Sequence, residues 1–421
     1  MSVQITAAQL EAAADALADV LRFDTPADGA LSNYFRAERK LGQRDRAVIA
    51  ETVYGVLRHL RRTRVAAGQA VGARKLILAW LVRFEGYSLR QLEPLLSGGE
   101  REWLAGQKAA EMPDWTFAER ADMPDWLAER LVAQRGQAAA QALADALNEP
   151  APLDIRVNPA KIERDAAIAR LKADGIDARA CAYSPLAIRL DRRVALQRYP
   201  LFVDGALEVQ DEGSQLLGFL VGPKRGEMVA DFCAGAGGKT LLLGALMRST
   251  GRLYAFDVSE RRLARFKPRL SRSGLSNVHP SVIAHENDVR IKRLAGKMDR
   301  VLVDAPCSGF GTLRRNPDLK WRQSEASVAE LQAKQTSILA AAARLVKPGG
   351  RLVYATCSLL NEENDAVVDG FLAAHPEFVE TSAADVLASN KIALDTGSRL
   401  RLDPAQHGTD GFFAAVLTRQ A

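Results

Sequence analysis

Asp231-Phe232-Cys233-Ala234-Gly235-Ala236-Gly237-Gly238-Lys239-Thr240 decides how the rest of the chain is read. It is a glycine-rich turn between an apolar run and a helical pattern, so it joins a short buried strand to a helix. Backbone N–H groups in such a turn can face an acceptor at the helix N-terminus, with glycines permitting close approach. Gly235, Gly237 and Gly238 have the spacing of neither a Walker loop nor GxGxxG, which argues against a nucleoside triphosphate and against NAD. Further on, Asp304-Ala305-Pro306-Cys307-Ser308-Gly309 follows Val301-Leu302-Val303, and Ala355-Thr356-Cys357-Ser358 follows Arg351-Leu352-Val353-Tyr354. Each stands where a buried strand should end, and ligands of open parallel α/β sheets gather at the carboxyl ends of strands.

Around this stretch, strand and helix patterns alternate as in a doubly wound sheet. The pattern predicts strands near 228–232, 252–257, 278–283, 300–304, 350–356 and 412–417, with helices near 239–248, 259–273, 324–346 and 361–374. Asp211 is a plausible N-cap for a helix over 212–221 that Gly222-Pro223 would stop. Before residue 150 the apolar residues recur at helical spacing, over 7–21, 45–62, 74–84 and 126–147, with no strand-like alternation. Pro150, Pro152 and Pro159 then mark a break into a mixed stretch, with strands near 153–157 and 186–190 flanking a helix near 163–173. The chain therefore divides into an all-α domain over 1–147, a small α/β insert over 148–205, and an α/β catalytic domain over 206–421.

Asp257 closes the second predicted strand, where an acidic side chain commonly accepts the hydroxyls of a ribose. The plainer alternative is a helix N-cap shared with Ser259. Asp288, after the third strand, would flank an adenine, or else is a surface-loop residue. Cys307 and Cys357 carry the sharpest signal. A buried inert thiol is the usual fate of a lone cysteine. Two at strand ends, each followed by serine, point instead to a nucleophilic thiol, provided that their strands are neighbours. Cys181 and Cys233 read as structural.

Composition narrows the classes. The 48% hydrophobic and 26% charged fractions are those of an ordinary globular protein, and 421 residues leave room for two or three domains. No uncharged apolar run approaches the length of a membrane span. Met1-Ser2-Val3-Gln4-Ile5-Thr6 lacks the basic start and apolar core of a signal peptide, so the cytoplasm is the default location. Four cysteines without CxxC spacing and five scattered histidines argue against both a disulfide framework and a metal site. The net charge of +6 is mild, but basic residues cluster in Arg58–Arg64, Arg261–Lys267 and around Arg314, Arg315, Lys320 and Arg322. One such cluster is usually a solvated helix face; several beside one site favour a polyanionic substrate. A monomer is the default oligomeric state.

Asp304-Ala305-Pro306-Cys307-Ser308-Gly309 and Thr356-Cys357-Ser358 resemble the paired cysteine motifs of S-adenosylmethionine-dependent RNA cytosine carbon-5 methyltransferases. The glycine turn resembles that family's first motif, except that Ala236 stands where the family usually has Pro. Gly311-Thr312-Leu313-Arg314-Arg315-Asn316-Pro317-Asp318-Leu319-Lys320-Trp321 is similar to its 16S ribosomal-RNA branch. Leu41-Gly42-Gln43-Arg44-Asp45-Arg46 and Tyr54-Gly55-Val56-Leu57-Arg58 resemble the antitermination-factor-like helical domain of that branch. The resemblance implies a Rossmann-like class I methyltransferase domain acting on RNA, with Cys357 as nucleophile and Cys307 serving the later elimination. It implies that Asp304 binds the cytosine edge and that Lys239 helps to position the reacting groups. Cys233, Ala234, Gly235, Ala236, Gly237, Gly238, Lys239, Asp257, Asp288 and Asp304 would then hold S-adenosylmethionine. Two rivals stand beside this reading: a methyltransferase of transfer RNA or of DNA, the latter disfavoured by the second cysteine, Cys357, and a non-catalytic RNA-binding ribosome-assembly factor that kept the fold.

Overall fold

The computed structural model describes residues 5–68, 71–111, 114–192 and 194–421, so Met1–Gln4 of the N-terminal stretch lie outside the described residues. The chain divides into two compact units, one of residues 1–149 with 313–324 and one of 150–312 with 325–421.

The first unit is helical throughout its described residues. Helix Ala7–Val20 opens with a capping box in which Thr6 and Gln9 satisfy each other's backbone N–H groups. Its Leu10, Ala13, Ala14 and Leu17 face the core shared with helices Gln43–Arg58 and Ala73–Arg83. Two expected helices are each broken in two. The 45–62 pattern becomes Gln43–Arg58 and Leu60–Ala67, with His59 outside helical geometry between them. The 126–147 pattern becomes Asp125–Arg135 and Gln137–Asn148, because Gly136 adopts a left-handed φ of 77° that a helix cannot continue through. Periodicity carries on across such a break, so the apolar pattern alone does not reveal it.

In the second unit the described strands form two sheets. β1 (Leu153–Val157), β2 (Ala178–Ala180), β3 (Ala187–Leu190) and β4 (Leu207–Val209) make an antiparallel sheet in the order β2-β3-β1-β4. Helix Arg164–Ala173 buries Ala167 and Leu171 in the same small core as Ile155, Val157 and Ile188. β2 and β4 are too short, at three residues each, to show an alternation in sequence.

The larger sheet contains β5 (Met228–Asp231), β6 (Arg252–Asp257), β7 (Val278–Val282), β8 (Met298–Asp304), β9 (Val346–Thr356), β10 (Phe378–Thr381), β11 (Leu400–Leu402) and β12 (Phe412–Arg419). Its order is β10-β12-β9-β8-β5-β6-β7, with β11 on β12. The five strands from β9 to β7 are parallel, and β12 runs antiparallel to β9. Successive residues alternate between its faces: Val229, Leu302 and Val353 enter one core, Ala230, Val301 and Leu352 the other. Helices on both sides cover it, which makes the domain Rossmann-like. From β5 the order proceeds to β6 on one side and to β8 on the other. That reversal opens a crevice at the carboxyl ends of β5 and β8, where the glycine turn and Asp304 stand.

Candidate active site

A cavity of about 510 Å³ occupies this crevice. Cys233, Ala234, Gly235, Ala236, Gly238 and Lys239 line it from the turn after β5, and Asp257 and Val258 from the end of β6. Asp304 and Cys307 line it after β8, and Cys357 after β9.

The turn is held from both sides. Asp257 accepts a hydrogen bond from the Gly235 N–H at 2.8 Å through one oxygen and from the Ser259 N–H at 2.7 Å through the other. Its carboxylate thus serves the helix cap and the turn together, and carboxylate oxygens can accept more than one donor each. On the outer side, Arg269 donates to the Ala236 carbonyl at 2.6 Å and Arg156 to the Gly238 carbonyl at 2.9 Å. Glu208 pairs with Arg269 and Arg272, so part of the basic helix Glu260–Ser273 faces inward to support the turn. Nothing in the local sequence links Arg156 and Glu208 to residues 236–238; only the docking of the small sheet does so. Gly237 is outside the cavity lining. Its φ is +83°, and a Cβ there would lie 1.9 Å from the Phe266 ring, so it is required for packing.

Asp288 also stands outside the lining. It caps the short helix Val289–Lys292 through the Arg290 N–H and accepts from the Ala284 N–H in the preceding loop, and those bonds hold its carboxyl below the usual range. Ile283 and Glu286, earlier in the same loop, reach the cavity in its place.

Lys239 donates to Asp304 at 2.6 Å. Burial opposes the Lys239 charge, but Asp304 outweighs it, and the ammonium sits above its ordinary value; it also interacts with Cys357 and Asp231. Burial raises Asp231 to about 7, against the Thr240 hydroxyl that donates to its Oδ2 at 2.7 Å. Asp231 Oδ1 is buried with no protein partner, and its residue lines the cavity. An unpaired buried acceptor calls for a donor, which the ammonium of an amino-acid moiety would supply.

β8 and β9 are neighbours in register, with Asp304 opposite Ala355, and the sulfurs of Cys307 and Cys357 lie 3.3 Å apart. The Gly311 N–H donates to the Cys357 carbonyl at 2.8 Å, and the Ala305 N–H to that of Ala355 at 2.8 Å. The hydrogen bond with Cys357, followed by burial, pushes the Cys307 thiol well above its ordinary value. Burial raises Cys233 in the same direction, and it raises Cys181 outside the cavity as well. The crevice therefore brings together two touching thiols, one buried cation and a carboxylate-lined turn. Among the described residues no group of His, Cys, Asp and Glu could hold a metal ion, and no helix is long and apolar enough to cross a membrane.

The family model described as "16S rRNA methyltransferase RsmB/F" matches residues 219–418, and an RsmF/B-like ferredoxin-like domain model matches 123–197. The latter takes in the two helices that precede β1 and three strands of the small sheet, β1, β2 and β3, but not β4. The chain is 31% identical to the probable ribosomal RNA small subunit methyltransferase B of Synechocystis, covering 96% of this chain and 97% of that protein. It is 36% identical to the ribosomal RNA small subunit methyltransferase B of Sodalis glossinidius, over 78% of this chain and 73% of that one. The crystal structure of PH0851 superposes with a TM-score of 0.82 at 27% identity, covering 99% of this chain and 100% of that one. On this evidence the chain belongs to the RsmB/F family of 16S ribosomal RNA methyltransferases.

Proposed function

We propose that this protein transfers a methyl group from S-adenosylmethionine to carbon-5 of a cytosine in 16S ribosomal RNA, through a covalent cysteine adduct at carbon-6. The observation that carries the proposal is the 3.3 Å contact of Cys307 and Cys357 inside a cavity that also contains the glycine turn and the Lys239–Asp304 pair. The residues present fit the cofactor. Asp257 at the end of β6 suits ribose hydroxyls, and unpaired Asp231 Oδ1 suits an ammonium. Ile283, Val258 and Ile338 offer apolar walls for a base. When bound, the cofactor supplies an electrophilic methyl group on a sulfonium.

Cytosine carbon-5 is too weak a nucleophile to be methylated unaided. Addition of the Cys357 sulfur to carbon-6 forms a carbon–sulfur bond and moves the ring's π electrons toward carbon-5 and nitrogen-3, splitting one hard step into easier ones. Asp304, held by Lys239, serves the ring edge and favours a proton on nitrogen-3. Lys239 supplies positive charge near the sulfurs, and nearby cations favour thiolates. Cys307, 3.3 Å from the attacking sulfur, serves the closing step, in which carbon-5 gives its proton to a basic group or to water, the carbon-5–carbon-6 double bond re-forms, and the Cys357 sulfur leaves carbon-6 as a thiolate. The base must leave its stack to reach the cavity, so an unpaired or loop nucleotide is the substrate.

The test is incubation of the protein and S-adenosylmethionine with 16S ribosomal RNA, assembled small subunits and transfer RNA, followed by bisulfite mapping. One newly protected cytosine in 16S RNA is expected. Protection confined to transfer RNA would move the substrate, and none in any RNA would overturn the chemistry.

A further inference from the structure

Cys307 and Cys357 are each followed by a serine, and both serines lead to one buried carboxylate. Glu363 has no solvent exposure. Its Oε1 accepts from the Ser308 N–H at 2.8 Å and from the Gln335 amide at 2.9 Å. Its Oε2 accepts from the Ser308 hydroxyl at 2.5 Å and from the Ser358 hydroxyl. The two hydroxyl oxygens are themselves 3.1 Å apart. Gln335 also donates to the Pro306 carbonyl at 2.9 Å, so the same network grips the residue before Cys307. Two further bonds hold the strand-end on the Cys357 side: the Tyr354 hydroxyl donates to the Glu363 carbonyl at 2.6 Å, and the Asn364 amide to the Ser358 carbonyl at 3.1 Å.

Four donors on two oxygens occupy the usual acceptor capacity of a carboxylate, which makes this a closed network. Such networks rigidify what they connect when every member is satisfied. Here they connect the loop after β8 to the loop after β9, one residue beyond each thiol. The register between β8 and β9 ends at Asp304 opposite Ala355, so the pairing of these two strands stops short of both sulfurs.

We propose that Glu363 is the positioning residue that holds the Cys307 and Cys357 sulfurs in contact, by binding the serine beside each. The proposal rests on the two-thiol reading of the reaction given above. Glu363 does not line the cavity, so its part is played through Ser308 and Ser358.

The contact can be read without RNA or cofactor. Glutathione disulfide oxidises two thiols to a disulfide and is itself reduced to two glutathiones, and the equilibrium constant reports how well the protein holds its sulfurs together. Peptide mapping after alkylation separates the Cys307–Cys357 bond from Cys181 and Cys233. In Glu363→Gln an amide N–H2 meets donors where an acceptor stood. The constant for Cys307–Cys357 should fall at least about tenfold, a rise in potential of about 30 mV. The Ser308→Ala/Ser358→Ala double variant, which keeps the carboxylate, should fall similarly and stands in if Glu363→Gln does not fold. In the methylation assay Glu363→Gln should lower kcat by at least about tenfold and leave KM for the cofactor within about twofold. A wild type that forms no such disulfide, or variants with the wild-type constant, would overturn the proposal. Absence of methylation by the wild type would instead count against the proposed reaction and leave the thiol equilibrium as the measure of Glu363.

Discussion

At the scale of single residues, the two thiols are equivalent in chemistry and distinguished by surroundings. The hydrogen bond with Cys357, followed by burial, raises the Cys307 thiol well above its ordinary value. A hydroxyl is far less ionised than a thiol at neutral pH, so Cys357→Ser should neither methylate nor form an adduct. Cys307→Ser should add to the base and then stall, leaving protein joined to RNA. Denaturing electrophoresis with labelled RNA and cofactor checks this; a retarded band from Cys357→Ser alone would reverse the roles. Asp231 allows a test by pH. Burial raises its carboxyl from 3.8 to about 7. Between those values the folded chain keeps a proton that the unfolded chain releases, so stability falls as pH rises through the window. A shift of that size corresponds to a few kcal/mol, about 1.4 per unit. Asp231→Asn should remove this dependence and gain on the wild type at pH 8 relative to pH 5. Denaturant titrations at the two pH values would show it, and parallel losses in both proteins would exclude Asp231 as the cause.

At the scale of elements, the functional unit is a strand end with the turn that follows it. β6 illustrates the point. Its terminal Asp257 caps helix Glu260–Ser273 through Ser259 and clamps the turn after β5 through Gly235. Ser259 is the N-cap of that helix, and Asp257 supports it while lining the cavity. Asp257→Ala should therefore weaken S-adenosylmethionine binding by about 1.5–3 kcal/mol, the worth of a charge-assisted hydrogen-bonding site. Calorimetric titration would measure it; an unchanged affinity would remove Asp257 from the cofactor site. The Ala236 carbonyl is bound by Arg269, so a side chain as well as the turn's own backbone holds this position.

At the scale of the whole molecule, residues 313–324 belong to the helical unit although they lie inside the catalytic sequence. Lys320 is buried there, donating to the Arg58 carbonyl and the Asn148 side chain, both at 3.0 Å. Arg58 donates to the Arg314 carbonyl at 2.8 Å, and Asp318 accepts from the Ala27 N–H at 3.1 Å. Two of the basic residues read as an RNA-facing cluster are therefore internal: Arg314 and Lys320 are both buried. Removing residues 1–145 takes away Ala27 and Arg58, the partners of Asp318, Arg314 and Lys320, and uncovers Trp321, which packs against the helical core. The shortened chain should melt several degrees lower, so its loss of RNA affinity would not report on RNA contacts alone. Salt is the cleaner probe of the intact chain: binding to 16S RNA should weaken steeply between about 50 and 200 mM salt as counterion release loses its drive. Differential scanning of both proteins and filter binding across salt check these two outcomes; an affinity indifferent to salt would remove the phosphate-contact reading. What was legible in sequence is local. Alternation of apolar runs and helical stretches, glycine at the strand–helix turn, and Cys-Ser after two strands all follow from short-range periodicity and backbone sterics. Those rules act over a few residues, and they sufficed for the parallel strands, β12 and the long helices beside them, and for the glycine turn, Asp257, Asp304 and the two thiols of the cavity lining, but not for β10 and β11. The tertiary structure alone decided which acidic residue of a loop faces inward, which arginines brace the turn, and that Glu363 joins both thiol loops. It also decided that Lys320 lies inside the helical unit. Each of these depends on a contact between distant positions, where geometry rather than local preference selects the partner.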